Sequence, residues 1–167
     1  ILFEKNKIQI NYKKDKLKVK GTGSIFFTDK SEQITYEIIK NNDQFSFNTK
    51  FNIKNNSFQI APLNYEKKED VNSIIIINGD FKKGNLLKLK TISLEENKNK
   101  ILINNLKLDK NFKVLDIEKA IINYKNKNKI LNKINLRKDS SNFIVEGDNL
   151  DLSKLIDNIM DSDDENS

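Results

Sequence analysis

The chain has 167 residues, 30 basic against 24 acidic, a net charge of +6, and neither cysteine nor histidine. That inventory excludes disulfides, thiolate or imidazole metal sites, a cysteine nucleophile and any Ser-His-Asp triad within these residues. Arg137 is the only arginine, and lysines are spread along the whole chain. The charge therefore reads as the Lys/Asn/Ile-rich composition of an AT-rich genome rather than as the arginine-leaning patch of a nucleic-acid reader.

The length fits one domain with a sizeable core. The first residue, Ile1, lies inside an apolar stretch, so the sequence reads as an excerpt of a longer protein, with any leader or membrane anchor expected upstream. No apolar run approaches the roughly 20 residues that span a bilayer.

Ile8 and Ile10 share one parity, and Asn11 to Lys16 makes a polar turn. Leu17, Val19, Ile25 and Phe27 then alternate, with Gly21 and Gly23 leaving gaps on that face that predict a bulge or a close backbone approach. No third glycine and no helical pattern follow, so this is not a dinucleotide loop. Ile34, Tyr36 and Ile38 form a third strand after the turn at Thr28 to Ser31.

The cleanest alternation is Phe45, Phe47, Phe51 and Ile53 against Gln44, Ser46, Asn48, Lys50 and Asn52, which predicts a strand with one greasy and one wet face. Lys54-Asn55-Asn56 predicts a hairpin turn, Phe58 and Ile60 a returning strand ending near Pro62, and Glu66 to Asp70 a charged loop. Ile74 to Ile77, apolar on both parities, predicts the most buried strand.

Gly79-Asp80 and Lys82-Lys83-Gly84 read as turns. Leu87 and Leu89 fall on one parity and Ile92 and Leu94 on the other, which predicts a bulge or a bend between them. Leu102, Leu106 and Leu108 alternate with Asn104 interrupting; Leu115 and Ile117 lead to Ala120, Ile122 and Tyr124; Ile134 and Leu136 make a further strand. Phe143 and Val145 end the β pattern, Gly147-Asp148-Asn149 turns, and Leu152, Leu155, Ile156, Ile159 and Met160 take helical spacing, with Asp151 or Ser153 as N-cap.

Fold class follows: all-β, a long antiparallel meander of about ten or eleven strands joined by short turns, with one short C-terminal helix. Residues 1-160 form one segment of a longer protein, with the helix at about 152-160, and 161-167 is an acidic disordered linker. From pattern alone the sheet either covers itself, as a sandwich or barrel, or curls into an open trough whose greasy face lines a groove. An acyl chain would suit such a groove, since each buried methylene is worth about 0.8 kcal/mol.

The stretch Ala120-Ile121-Ile122-Asn123-Tyr124, Ile134-Asn135-Leu136, Phe143 to Val145 and Gly147-Asp148-Asn149-Leu150-Asp151-Leu152-Ser153-Lys154-Leu155-Ile156 resembles the repeated region of large AsmA-like bacterial envelope proteins. That resemblance implies a β-trough crossing the periplasm, tethered to the inner membrane by an upstream segment and carrying phospholipid between inner and outer membrane in support of outer-membrane biogenesis. Its implied lipid-binding groove is the inward set Phe45, Phe47, Phe51, Ile53, Phe58, Ile60, Leu87, Leu89, Ile122 and Tyr124, with Leu155, Ile156, Ile159 and Met160 as groove cap. The implied partners are phospholipid acyl chains, and the membrane through parts outside this segment. No cofactor, metal or nucleic acid is expected, and nothing sets an oligomeric state.

The competing readings are weaker. A ligand-free structural sandwich or scaffold needs only the alternation. An enzyme would need paired carboxylates, whereas Asp15, Asp29, Asp43 and Asp80 fall in predicted turns. Asp161 to Glu165 lacks the spacing and glycine of a calcium loop. Tyr12, Phe26 and Tyr65 beside lysines would be the stacking set of a single-strand binder.

Overall fold

The computed structural model describes residues 2–82, 87–149 and 151. Its strands are β1 (Leu2–Lys13), β2 (Lys16–Phe26), β3 (Ser31–Asn41), β4 (Gln44–Ile53), β5 (Phe58–Ile60), β6 (Tyr65–Lys67), β7 (Ser73–Lys82), β8 (Leu87–Glu96), β9 (Asn99–Leu108), β10 (Val114–Asp116), β11 (Lys119–Lys125), β12 (Leu131–Asp139) and β13 (Asn142–Asn149). A single 3-10 turn, Ala61–Leu63, joins β5 to β6.

Eleven strands form one antiparallel sheet in the order β1-β2-β3-β4-β7-β8-β9-β11-β12-β13, with β10 beside the end of β9, while β5 and β6 pair only with each other. The end strands β1 and β13 each have one partner, β2 and β12, so the sheet is open and not a closed barrel. Tight hairpins explain the meander. Lys14, Asn42, Asn97 and Ser140 each open a two-residue turn in the left-handed region, the backbone geometry that matches strand twist.

The meander expected from the sequence breaks once, between β4 and β7. Phe58 and Ile60 do not return along β4, whose free side is taken by β7 over its full length, from Gln44↔Lys82 to Ile53↔Ser73. Glu32 helps turn the chain away: its carboxylate accepts the backbone N–H of Lys54 at 2.8 Å and of Asn56 at 2.6 Å, and the Asn56 side-chain amide at 2.8 Å. Two backbone donors that a hairpin would have spent in the sheet are satisfied there instead.

Two glycine readings also change. Gly79 lies inside β7 at a register shift where β8 carries the extra residue Lys90, and a Cβ there would sit 2.2 Å from the Lys88 carbonyl oxygen. Asp80 is therefore on the strand, not in a turn; it accepts the Ser46 hydroxyl at 2.8 Å and pairs with Lys90 at 2.8 Å. The bulge or bend expected between Leu89 and Ile92 is this same bulge. In β2 the expected close approach is met at Gly23, which faces the register shift between Glu4 and Lys7 with a Cβ position 2.9 Å from the Asn6 Cα, whereas Gly21 keeps regular register and the Tyr36 ring fills the space its Cβ would need.

The main buried cluster is Tyr65, Leu94, Ile101 and Tyr124, with Phe58, Ile60, Leu63, Ile75 and Ile122 packed on them; Ile25, Ile34, Ile53, Leu89, Ala120 and Ile134 are buried elsewhere along the sheet. Ile74 to Ile77 are half-buried rather than the most buried stretch, because alternate members face opposite sides of a sheet that has no second layer of its size. Among the described residues there is no α-helix. The helix expected at about 152-160, its residues Leu155, Ile156, Ile159 and Met160, and the tail 161-167 lie outside the described residues.

Candidate functional site

Directly opposed residues of an antiparallel pair share a face, so the registers can be followed across the sheet from β4. One row is Ile34, Phe51, Ile75, Leu94, Ile101, Ile122 and Ile134. A parallel row runs Ile38, Phe47, Gly79, Leu89 and Leu106, and a third Phe45, Phe81, Leu87, Leu108 and Val114. One side of the sheet is thus apolar from β3 to β12, with Val19, Ile8 and Ile10 extending it to the β1 edge and Val145 to the β13 edge.

The opposite side is mainly polar, with Ile74, Ile76, Leu102 and Ile121 set among the polar residues. Ser46, Asn48 and Lys50 lie beside Asp80, Asn78 and Ile76. Lys20 and Lys18 reach Glu37 at 2.9 and 3.2 Å, and those hydrogen bonds hold the Glu37 carboxyl below its ordinary range. A hollow of about 910 Å³ opens near β1 to β4, lined by Lys7, Lys20, Lys50 and Glu37 together with Ile8, Tyr36 and Ile76.

The excursion 54–72, carrying β5 and β6, is the only strand-bearing part of the described chain that is off the main sheet, and it covers one rim of the apolar face. Tyr65, 1 % exposed, meets Tyr124 edge to face at 5.5 Å and 85°. Its hydroxyl donates to Glu96 at 2.7 Å, where the Ser73 hydroxyl also donates at 3.1 Å; burial first, then Glu96, holds the phenol well above its ordinary value. The Tyr124 hydroxyl donates to the Leu63 carbonyl, and burial with the nearby Asp151 charge pushes its phenol up to about 12.

Lys67 is fully buried. Its ammonium donates to the carbonyls of Lys54 at 2.8 Å and Asn56 at 2.6 Å, so it ties the start of the excursion to β6. Burial pulls its pKa below the ordinary lysine value, against the opposing charges of Glu32 and Glu96. Between cover and sheet an apolar cavity of about 380 Å³ remains, walled by Phe27, Phe51, Ile53, Phe58, Ile75 and Ile77.

Away from this rim the described residues leave the face less covered, although Leu89 stays buried. Phe45, Phe47, Leu87, Leu106 and Leu108 are half-buried, Phe81 is 39 % exposed, and Phe112 beyond β9 is 73 % exposed. Phe45 and Phe81 touch only as a tilted pair, 6.3 Å between centroids.

Searches against family models, curated proteins and solved structures returned no match. The site therefore rests on its own geometry.

Of the residues proposed from sequence, Phe45, Phe47, Phe51, Ile53, Leu87, Leu89, Ile122 and Tyr124 share the apolar face. Phe58 and Ile60 do not belong to that sheet; they sit on the cover, packed on the same core from the other side. Leu102, read as part of the apolar set, pairs with Ser93 and Ile121 on the polar side; Ile101 and Ile103 take the apolar positions. Tyr65 is buried, and Tyr12 and Phe26 pair near opposite ends of the β1–β2 hairpin, so the stacking set is not assembled. Among the described residues no three acidic groups gather as a metal site.

Tyr65, Leu94 and Ile101 were the residues sequence reading missed. Tyr65 stands between Pro62 and a charged run, where no alternation marks it. Leu94 and Ile101 sit either side of a tight turn, and only their direct pairing reveals the shared face.

Proposed function

We propose that this chain is a lipid-carrying segment of an AsmA-like periplasmic protein, its apolar face curved into a trough that takes phospholipid acyl chains between the inner and outer membranes. Support comes from one observation above all. An apolar face continues across a sheet of ten successive strands, about 45 Å at about 4.8 Å per strand, and the described residues place a protein cover along only one of its rims. Soluble sheets of this kind bury such a face against a second layer, and acyl chains supply an equivalent layer at about 0.8 kcal/mol per methylene. In this reading the polar side faces water, the excursion 54–72 closes one rim, and the cavity under it receives chain ends. The inner-membrane tether lies in parts of the protein outside this sequence.

Gentle purification followed by native mass spectrometry tests the reading. The expected result is co-purifying phospholipid, lost in Phe47→Asp and Leu89→Asp and retained in Lys90→Asp on the polar side. A lipid-free protein whose behaviour Phe47→Asp leaves unchanged would make the sheet a structural scaffold.

A further inference from the structure

Among the described residues, the two outer strands of the sheet, β1 and β13, each leave one backbone edge unpaired, and an unpaired edge is a template for another strand. Their charges are opposite. β1 carries Lys5, Lys7 and Lys13 against Glu4, whereas β13 carries Glu146 and Asp148 and no base. Two β1 edges would bring lysines together and two β13 edges would bring carboxylates together; only the unlike edges attract.

Register makes the same selection. The path contains ten strands, an even number, so β13 runs antiparallel to β1 and a second copy added beside β13 in the same orientation continues the antiparallel alternation. Following one row across the sheet leads from Ile8 through Gly21, Tyr36, Thr49, Ile77, Ile92, Ile103, Ala120 and Leu136 to Val145. The neighbouring row leads from Lys7 to Glu146 in the same way. With no slip, therefore, the second copy's Ile8 meets Val145 and its Ile10 meets Phe143 on the apolar side, while Lys7 meets Glu146 on the polar side.

The exposed state of these residues fits. Ile8, Ile10, Phe143 and Val145 are 53, 64, 50 and 60 % exposed, and the Glu146 carboxylate has only a long 4.0 Å contact to Arg137. Irregularities bound the matched segments: β1 shifts register between Glu4 and Lys7, and β13 beyond Gly147. Between those points both edges are regular.

We propose that β1 of one copy of this chain pairs antiparallel with β13 of another, head to tail, extending the sheet with its apolar face on one side throughout. This reading does not depend on lipid binding.

Analytical ultracentrifugation of the full chain is expected to show a weight-average mass that rises with concentration. Lys7→Glu or Glu146→Lys alone weakens assembly about fivefold, and the two together in one chain restore it, which a merely unfolded variant could not do. Because the chain has no cysteine, Lys7→Cys and Glu146→Cys proteins can be mixed and oxidised, and the linkage is expected between position 7 of one copy and position 146 of the other. A monomer at every concentration, or linkages joining only like positions, overturns the proposal.

Discussion

Leu94 and Phe81 lie on the same apolar face, in adjacent strands, yet Leu94 under the excursion is 4 % exposed and Phe81 at the other rim is 39 % exposed. The covered rim is held by buried, specific contacts: Tyr65 on Glu96, Tyr124 on Leu63, Lys67 on two carbonyls, Glu32 on the Lys54 and Asn56 amides. The uncovered rim is held by surface ion pairs, with Asp116 between Lys107 at 2.9 Å and Lys138 at 2.6 Å. The difference teaches that alternation sets which side of a strand is apolar, and something distant in sequence sets whether that side is dry. Stability should concentrate at the first rim and ligand access at the second.

Truncating one aromatic at each rim is the strongest way to break that contrast. Tyr124→Ala is expected to cost about 3–5 kcal/mol, the range for emptying a buried aromatic site, whereas half-buried Phe45→Ala should cost only about 1 kcal/mol. Urea unfolding monitored by circular dichroism measures both, and equal losses would abolish the distinction between rims. A smaller effect is expected from Glu96→Ala, which strands the Tyr65 and Ser73 hydroxyls; an unsatisfied buried donor costs about 1–3 kcal/mol. Amide hydrogen exchange should then rise in β5 and β6 and stay unchanged in β10.

The weakest effect belongs to the open rim and to acid. Hydrogen bonds from Lys107 and then Lys138 bring the Asp116 carboxyl down to about 2 from its ordinary 3.8. Because the folded value is depressed, its contribution is present above the ordinary carboxylate range and is lost as pH falls from there through about 2. Asp116→Asn should therefore remove a small part of the acid sensitivity between those values. A stability-against-pH curve parallel to that of the parent protein would leave the ion pairs without a role in holding that rim.

Much of the candidate site could be read from local pattern. Phe45, Phe47, Phe51 and Ile53 share the apolar face because Cβ direction alternates along any strand, and the parity slip between Leu89 and Ile92 marked a bulge at Lys90 without any knowledge of its partner. What failed to show were features whose cause lies far along the chain. Phe58 and Ile60 had the right parity for a returning strand, but Glu32, more than twenty residues earlier, captures the amides of Lys54 and Asn56. Gly79 looked like a turn because its need for space comes from the Lys88 carbonyl of the next strand.

The sequence by itself determined an all-β chain, the short turns and the two-sidedness of the strands, since turn chemistry and alternation act over a few residues. Only the tertiary structure decided that the sheet stays open, that one excursion leaves it to cover a single rim, and that β1 and β13 end up as edges of opposite charge in matching rows. Strand pairing is long-range, and the same alternating strand serves equally in a closed core or an open face.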